Sequence, residues 1–248
     1  MDLHVQEILM FGLFQKKHSL VASGILKGMT DIHSHVLPGV DDGSPDLPTS
    51  LELLAWMETL GWKKIWCTPH VMEDFQIHNP QLEQTIQALQ QAYSGNLELA
   101  LASEYMLDAS FSQRLPKQVL PIGKNHLLVE TSYMYGPAGM DDLLLDIYQA
   151  GYHPIIAHPE RYMYMEEADY RSLKEKGYSF QLNLMSLSGY YGRRPQAVSE
   201  DLLKKGWYDY VGSDLHHLHR YAPMMESFKL KREQIDALGV LLENNQTL

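Results

Sequence analysis

Eight side chains of metal-ligating type stand at the ends of short apolar runs. Thr30-Asp31-Ile32 leads into His33-Ser34-His35, and Ile65-Trp66-Cys67 leads into Thr68-Pro69-His70. Leu99 to Ala102 ends in Ser103-Glu104, Leu127 to Val129 in Glu130, Ile155 to Ala157 in His158-Pro159-Glu160-Arg161, and Tyr210 to Ser213 in Asp214-Leu215-His216. His33 and His35 lie two apart, so an extended strand points both imidazoles to one face, where both can reach one ion. Asp214 and His216 repeat that geometry, and Glu104 and Glu130 offer carboxylates able to bridge two ions. Mixed imidazole and carboxylate donors suit Mn, Fe or Zn rather than Ca. A closed thiolate site is excluded, because Cys67 is the single cysteine. One histidine or glutamate at a strand end is ordinarily a solvated surface group, and His-x-His alone is a weak signal. Six strand ends of this kind in one chain are a far stronger signal.

The elements that must carry these residues follow from the hydropathy pattern. Short apolar runs predict strands at Met29–Ile32, Lys64–Cys67, Leu97–Ala102, His126–Val129, Pro154–Ala157, Ser179–Leu182 and Tyr208–Val211. Between them lie helix-like stretches at Leu47–Leu60, Pro80–Tyr93, Gly139–Ala150, Glu166–Lys176 and Pro195–Lys205, with a last one from about Pro223 to Leu242. Leu53, Met57 and Leu60 fall at i, i+4 and i+7, the stripe of a helix laid on a sheet. Strand-helix alternation implies a parallel sheet covered by helices. Seven such units suit a closed (β/α) barrel, with a doubly wound open sheet as the alternative that periodicity does not separate. In a barrel the carboxyl ends of all strands meet at one mouth, where catalytic residues of such folds collect. Six of the seven predicted strands end there in a metal-type side chain.

Composition narrows the partners. The 248 residues are 45% hydrophobic and 21% charged, ordinary globular usage. A net charge of −11 argues against a nucleic-acid partner, since phosphate neutralisation needs a basic face. One cysteine and no disulfide suit a reducing compartment, and the cytoplasm is expected. Ile8 to Phe14 is apolar, yet it falls far short of the roughly 18 to 20 residues that span a bilayer, and Lys16-Lys17 follow it rather than precede it. No transmembrane segment or signal is expected. Residues 1–28 read as an N-terminal arm and 29–248 as one catalytic domain.

Other candidates have plain readings. His126 and His153 precede strands and belong at the end opposite the mouth. His4, His18 and His78 are read as ordinary histidines without a role in the site, and His217 and His219 are close to it in sequence without an assigned role. Asp41-Asp42-Gly43 is either a solvated turn or a loop that folds an aspartate back onto the ions. Cys67 lacks the arginine six residues later that a thiolate phosphatase needs, since Glu73 stands there, so it reads as a buried apolar residue.

The stretch from Asp31 to Gly43, Asp-Ile-His-Ser-His-Val-Leu-Pro-Gly-Val-Asp-Asp-Gly, resembles the opening motif of PHP-type (polymerase and histidinol phosphatase) bacterial tyrosine phosphatases of capsule and exopolysaccharide operons. Cys67-Thr-Pro-His70, Ala157-His-Pro-Glu-Arg-Tyr162 and Gly212-Ser-Asp-Leu-His216 follow in that family's order, so the resemblance covers residues 29 to about 225. It implies a distorted (β/α)7 barrel, three divalent metals, manganese first with iron or zinc as alternatives, and hydrolysis of phosphotyrosine on a partner protein, a tyrosine kinase. The ligands it implies are His33, His35, Asp42, His70, Glu104, Glu130, His158, Asp214 and His216. Two departures stand out: the arm before residue 29 is long, and His217-Leu-His-Arg-Tyr-Ala-Pro223 replaces the usual Asn with Arg-Pro-Pro. Arg220 is then the candidate for the family's phosphate-facing arginine.

The chemistry of the parts agrees. A phosphomonoester needs cationic stabilisation of the transferring group and a nucleophile opposite the leaving oxygen. Divalent ions supply both, through phosphate clamping and an acidified water, and they set the local sign of charge in a net-negative protein. Arg161 adds a planar fork matched to phosphate oxygens; the structural alternative is an ion pair with Glu160, Glu166 or Glu167. Rival readings are a histidinol-phosphate or other small-molecule phosphatase on the same scaffold, and a non-catalytic metal-binding regulatory module. The Asp-Asp-Gly turn and short loops favour a shallow mouth that admits a protein.

Overall fold

In the computed structural model, residues 16–248 are described, apart from Gln76 and Pro116. The apolar run from Ile8 to Phe14 lies outside them.

The chain opens with β1 (Lys17–Ser19) and a short helix α1 (Leu20–Ser23). Strand-helix units follow: β2 (Thr30–Ser34) and α2 (Leu47–Thr59), then β3 (Lys64–Cys67), β4 (His70–Val71) and α3 (Asn79–Ala92). Next come β5 (Glu98–Leu101), β6 (Glu104–Met106) and α4 (Phe111–Arg114), then β7 (His126–Glu130) and α5 (Met140–Gln149). The last units are β8 (His153–Ala157) with α6 (Glu167–Glu175), β9 (Ser179–Asn183) with α7 (Arg193–Lys204), and β10 (Tyr210–Gly212) with α8 (Leu218–Ser227). Strand β11 (Lys229–Lys231) and helix α9 (Arg232–Asn245) close the described chain. No helix among the described residues is long and apolar enough to cross a membrane.

All ladders among β2 to β10 are parallel. One sheet runs β2-β3-β5 and the other β10-β9-β8-β7-β6-β4. The division reflects two local breaks. Pro69 has no N–H to give a ladder, so the strand bends between β3 and β4, and the neighbouring strand bends beside it at Ala102-Ser103. Pairing persists across the break, because Ala102 N–H donates to the Cys67 carbonyl at 2.9 Å and Glu104 N–H to that of Pro69 at 3.1 Å. The sheets also meet on the far side, where Ser34 bridges Leu215 in parallel and Asp214 N–H donates to the His33 carbonyl at 2.8 Å.

Helix α2 shows the local logic. Asp46 accepts from the Thr49 N–H at 2.9 Å as its N-cap, Pro48 stands in the first turn, and Leu53, Leu54 and Met57 are buried. Strands β7 and β8 are covered on both faces, hence their near-continuous apolar runs.

One expectation fails. The helix placed from Pro223 to Leu242 is two helices, α8 and α9, separated by β11. The reason is tertiary: Lys229 to Lys231 pair antiparallel with Lys17 to Ser19, and buried Phe228 and Leu230 require extended chain there. Residues 17–28 are not detached from the rest, since Leu20 and Leu26 are buried in the main core cluster.

Candidate metal centre

Nine side chains converge where the carboxyl ends of the strands meet. Four overlapping groups bring ligand atoms within 4.8 Å of one another: His35, Asp42, His70 and His216; His33, Glu104 and His158; His33, His35 and Asp214; and His70, Glu104 and Glu130. Their union holds every metal candidate named from the sequence. All are buried except Asp42 and His216, which sit at the opening.

Packing and hydrogen bonds aim the imidazoles. His33 Nδ1 meets Gln181 Oε1 at 2.9 Å and His35 Nδ1 meets Asp41 Oδ2 at 2.8 Å, so each Nδ1 is assigned as the protonated nitrogen. Both Nε2 lone pairs are then free, and they face each other at 3.0 Å. The His216 Nδ1 likewise donates to the Asp214 carbonyl at 3.0 Å, leaving Nε2 toward Asp42 Oδ1 at 3.5 Å. Two glycines permit the approach: a Cβ on Gly212 would fall 2.5 Å from that of His33, and one on Gly43 would overlap the His35 carbonyl. His158 (φ 34°) and Asp214 (φ 53°) are the two non-glycine residues of positive φ among the described residues. Such strain costs on the order of 1–3 kcal/mol and gathers at functional sites.

The donor set fits a cation. His70 Nδ1 lies 2.9 Å from Glu130 Oε1 and 3.1 Å from Glu104 Oε2. Yet none of these three buried atoms has a hydrogen-bond partner of acceptable geometry. An orphaned buried polar atom costs about 1–3 kcal/mol, and an ion between them removes that cost. The electrostatics agree. Burial alone would raise the Glu104 and Asp214 carboxyls, but the surrounding imidazoles, His33 foremost, outweigh it and hold both well below the usual range. Burial would likewise lower His33, but Glu104 and Asp214 push it up. His70 is raised to about 9, against its own burial and the His35 charge, by Glu104 and Glu130. The cluster is therefore built to hold positive charge, which protons or divalent ions can supply.

Arg161 lies beside the cluster. Its Nη1 donates to Asp214 Oδ2 at 2.7 Å, and its plane is sandwiched between Tyr133 at 4.3 Å and Tyr191 at 4.0 Å. Among the described residues its other guanidinium nitrogens make no hydrogen bond. The acidic partner is thus a cluster residue and none of Glu160, Glu166 and Glu167; Glu160 instead accepts from Asn183 N–H, Ser186 Oγ and Tyr208 OH. Arg220 is exposed on α8 and is not drawn into the cluster. Cys67 is buried beneath, and burial, with Asp31 and Asp41 adding to it, pushes its thiol up to about 12.

Sequence reasoning missed several supporting residues. Asp41 was visible only as half of an Asp-Asp pair, yet it orients His35 and accepts from the His70 N–H at 3.0 Å. Strand β9, which showed no metal-type end, supplies Gln181 to His33 and Asn183, whose Nδ2 donates to Asp214 Oδ2 at 2.7 Å. Tyr133 and Tyr191 carried no signal, because stacking on a distant arginine leaves no spacing pattern.

The sequence profile of the family "Capsular polysaccharide synthesis, CpsB/CapC" matches residues 29–238. The chain belongs to that family. Among CpsB/CapC relatives, the tyrosine-protein phosphatase YwqE of Bacillus subtilis is 28% identical over 230 residues, covering 89% of this chain and 91% of that protein. The tyrosine-protein phosphatase CpsB of Streptococcus pneumoniae is 28% identical over 217 residues, covering 80% and 87%. A solved chain from the crystal structures of those two proteins, described as unique metal-dependent tyrosine phosphatases, superposes with a TM-score of 0.70 at 28% identity, covering 87% of this chain and 95% of that one.

Proposed function

We propose that this protein is a metal-dependent phosphomonoesterase that hydrolyses phosphotyrosine on a protein, a tyrosine kinase of capsule or exopolysaccharide synthesis, in the cytoplasm. The observation that carries the reading is the set of buried, unsatisfied imidazole and carboxylate atoms aimed into one space beside a guanidinium with free N–H groups. The activity named for the CpsB/CapC relatives supports it. We read the two sheets as one distorted (β/α)7 barrel, with β3/β4 and β5/β6 as two bent strands and the Ser34–Leu215 bridge as the closing seam. Residues 29–248 then form the catalytic domain, with 1–28 preceding it as an N-terminal arm whose described part packs into the core through Leu20 and Leu26.

His33, His35, Asp42, His70, Glu104, Glu130, His158, Asp214 and His216 would hold the ions, three in number, with manganese favoured and iron or zinc as alternatives for this donor set. Divalent ions bound there would neutralise phosphoryl charge and make an attacking water acidic enough to act near neutral pH. The chain's own residues do the remaining work. Gln181 and Asp41 fix the tautomers of His33 and His35 so that each Nε2 is left free to hold an ion. Asp214 divides its oxygens: Oδ1 faces His33, His35 and His216 at 3.4–3.5 Å, while Oδ2 grips Arg161 and Asn183. Arg161 is thereby locked flat, with its free edge available to two phosphate oxygens. Tyr133, which stacks on Arg161, and Met134 and Tyr135, which follow it in the chain, are exposed and make an apolar stretch suited to an aryl ester displayed on a protein.

The experiment is steady-state hydrolysis of a phosphotyrosine peptide and of histidinol phosphate after metal analysis. EDTA should abolish peptide hydrolysis, Mn²⁺ should restore it, and Cys67→Ser should keep most of it. Preference for histidinol phosphate, or a folded metal-replete Cys67→Ser that is inert, overturns the reading.

A further inference from the structure

A groove of about 540 Å³ lies at the carboxyl ends of β4, β6 and β7, and its walls come from residues that closely follow three of the ligand positions in the chain. Met72, Glu73 and Asp74 come after His70, Met106 and Asp108 after Glu104, and Tyr135 after Glu130. The floor is apolar, with Met72 and Met106 partly buried and Tyr135 70% exposed. The charge is one-signed: Glu73, Asp74 and Asp108 line it, and among the described residues no Lys, Arg or His does. Asp108 is partly spent on its own loop, accepting from the Glu73 N–H at 2.8 Å and the Ser110 N–H at 2.9 Å. The Glu73 and Asp74 side chains are exposed and form no ion pair among the described residues.

We propose that this groove seats the polypeptide flanking a phosphotyrosine and selects segments that carry basic residues beside an apolar one. The inference rests on the phosphotyrosine reading above and specifies its substrate class. Two regions of opposite preference then lie side by side, since the centre attracts the phosphate dianion while the groove attracts the cation next to it. The occupant follows from charge complementarity and from the groove's position, with Met72, Met106 and Ser132 each two residues beyond a candidate ligand. Acidic or nucleic-acid partners would be repelled from the same walls. Methionine side chains suit such a role, because they adapt to varied apolar neighbours. Exposed ion pairs are individually weak, so two or three of them give roughly three- to tenfold in kcat/KM, shrinking as salt rises.

The test compares two phosphotyrosine peptides of equal length, one flanked by Lys and Leu and one by Glu and Leu, with p-nitrophenyl phosphate as the reference. In the native protein kcat/KM should favour the basic peptide about three- to tenfold at low salt, mostly through KM. In the double variant Glu73→Lys/Asp74→Lys, the ratio of basic-peptide to p-nitrophenyl phosphate kcat/KM should fall by a similar factor, and the acidic peptide should become the better one. Equal rates for the two peptides, or a variant that slows all three substrates alike, overturns the groove while leaving phosphotyrosine hydrolysis standing. Inertness toward all three would overturn the activity itself. Fluorescence anisotropy with labelled versions of both peptides, bearing a non-hydrolysable phosphonate, still decides the groove in that case, since equal Kd values reject it.

Discussion

Two histidine pairs occupy opposite ends of the strands. His33 and His35 stand at the carboxyl end with ring centroids 5.2 Å apart, and His126 and His153, which begin β7 and β8, are 5.5 Å apart. The residue type and the spacing are nearly the same. Their surroundings differ. The first pair is buried among Glu104, Asp41 and Asp214, and His33 is pushed up despite its burial. The second has aromatic neighbours, Tyr148 and Tyr210, and His126 is pushed down, by burial first and then by His153. Two imidazoles therefore become a cation site only when carboxylates surround them.

The largest expected effect separates these ends directly. His35→Ala or Asp214→Ala should empty part of the centre and lower phosphatase turnover by about 10³-fold or more, while circular dichroism stays native. His126→Ala and His153→Ala should leave metal content and turnover within about twofold. Full metal occupancy and normal turnover in the first two variants would remove those residues from the centre.

The next effect tests the edge of the centre. Arg161→Ala should cost about 2–4 kcal/mol of transition-state stabilisation, the range for a preorganised donor, or roughly 30- to 1,000-fold in kcat/KM. Arg161→Lys should recover only part, because a point charge lacks the planar fork. Tyr191→Leu removes one face of the sandwich and should cost about 0.5–2 kcal/mol, with Tyr191→Phe recovering most of it. If Arg161→Ala keeps its metals and stays within about threefold of the native kcat/KM, the arginine is structural and Arg220 is the next candidate.

The smallest effect concerns pH. The His126 pKa is depressed in the folded state, so its contribution to stability is present above the ordinary histidine value near 6.5 and is lost as pH falls below it. Urea midpoints at pH 7.5 and 5.5 should therefore differ less for His126→Gln than for the native chain. An unchanged pH dependence would show that its burial is not felt.

Legibility in the sequence followed the same division. Strand ends carrying charged or imidazole groups stand out against apolar runs, so the sequence pattern delimits β3 at Lys64–Cys67 and singles out eight of the candidate ligands, whereas Asp42, in a turn, rests on the family resemblance. The alternation of units likewise announced parallel sheets. What escaped depended on partners distant in the chain. Nothing near Lys229 says that Lys17 will pair with it, and the helical pattern there was read through the break. Asn183 and Gln181 are ordinary polar residues until β10 brings Asp214 alongside, and Tyr191 acquires meaning only from Arg161.

The seam where Ser34 meets Leu215 has a consequence for folding order. It joins residues 181 positions apart (215 − 34), and the two halves of the His33–Asp214 group lie on either side of it. Closing a loop of that length costs roughly 4–5 kcal/mol of chain entropy by the logarithmic law, and contacts so distant form late. An intermediate lacking the β2–β10 contact would hold Glu104, Glu130 and His158 together but not His33 with Asp214. Manganese, held fully only once that contact has formed, should then slow unfolding far more than it speeds refolding, making the metal a latch on the chain's two ends.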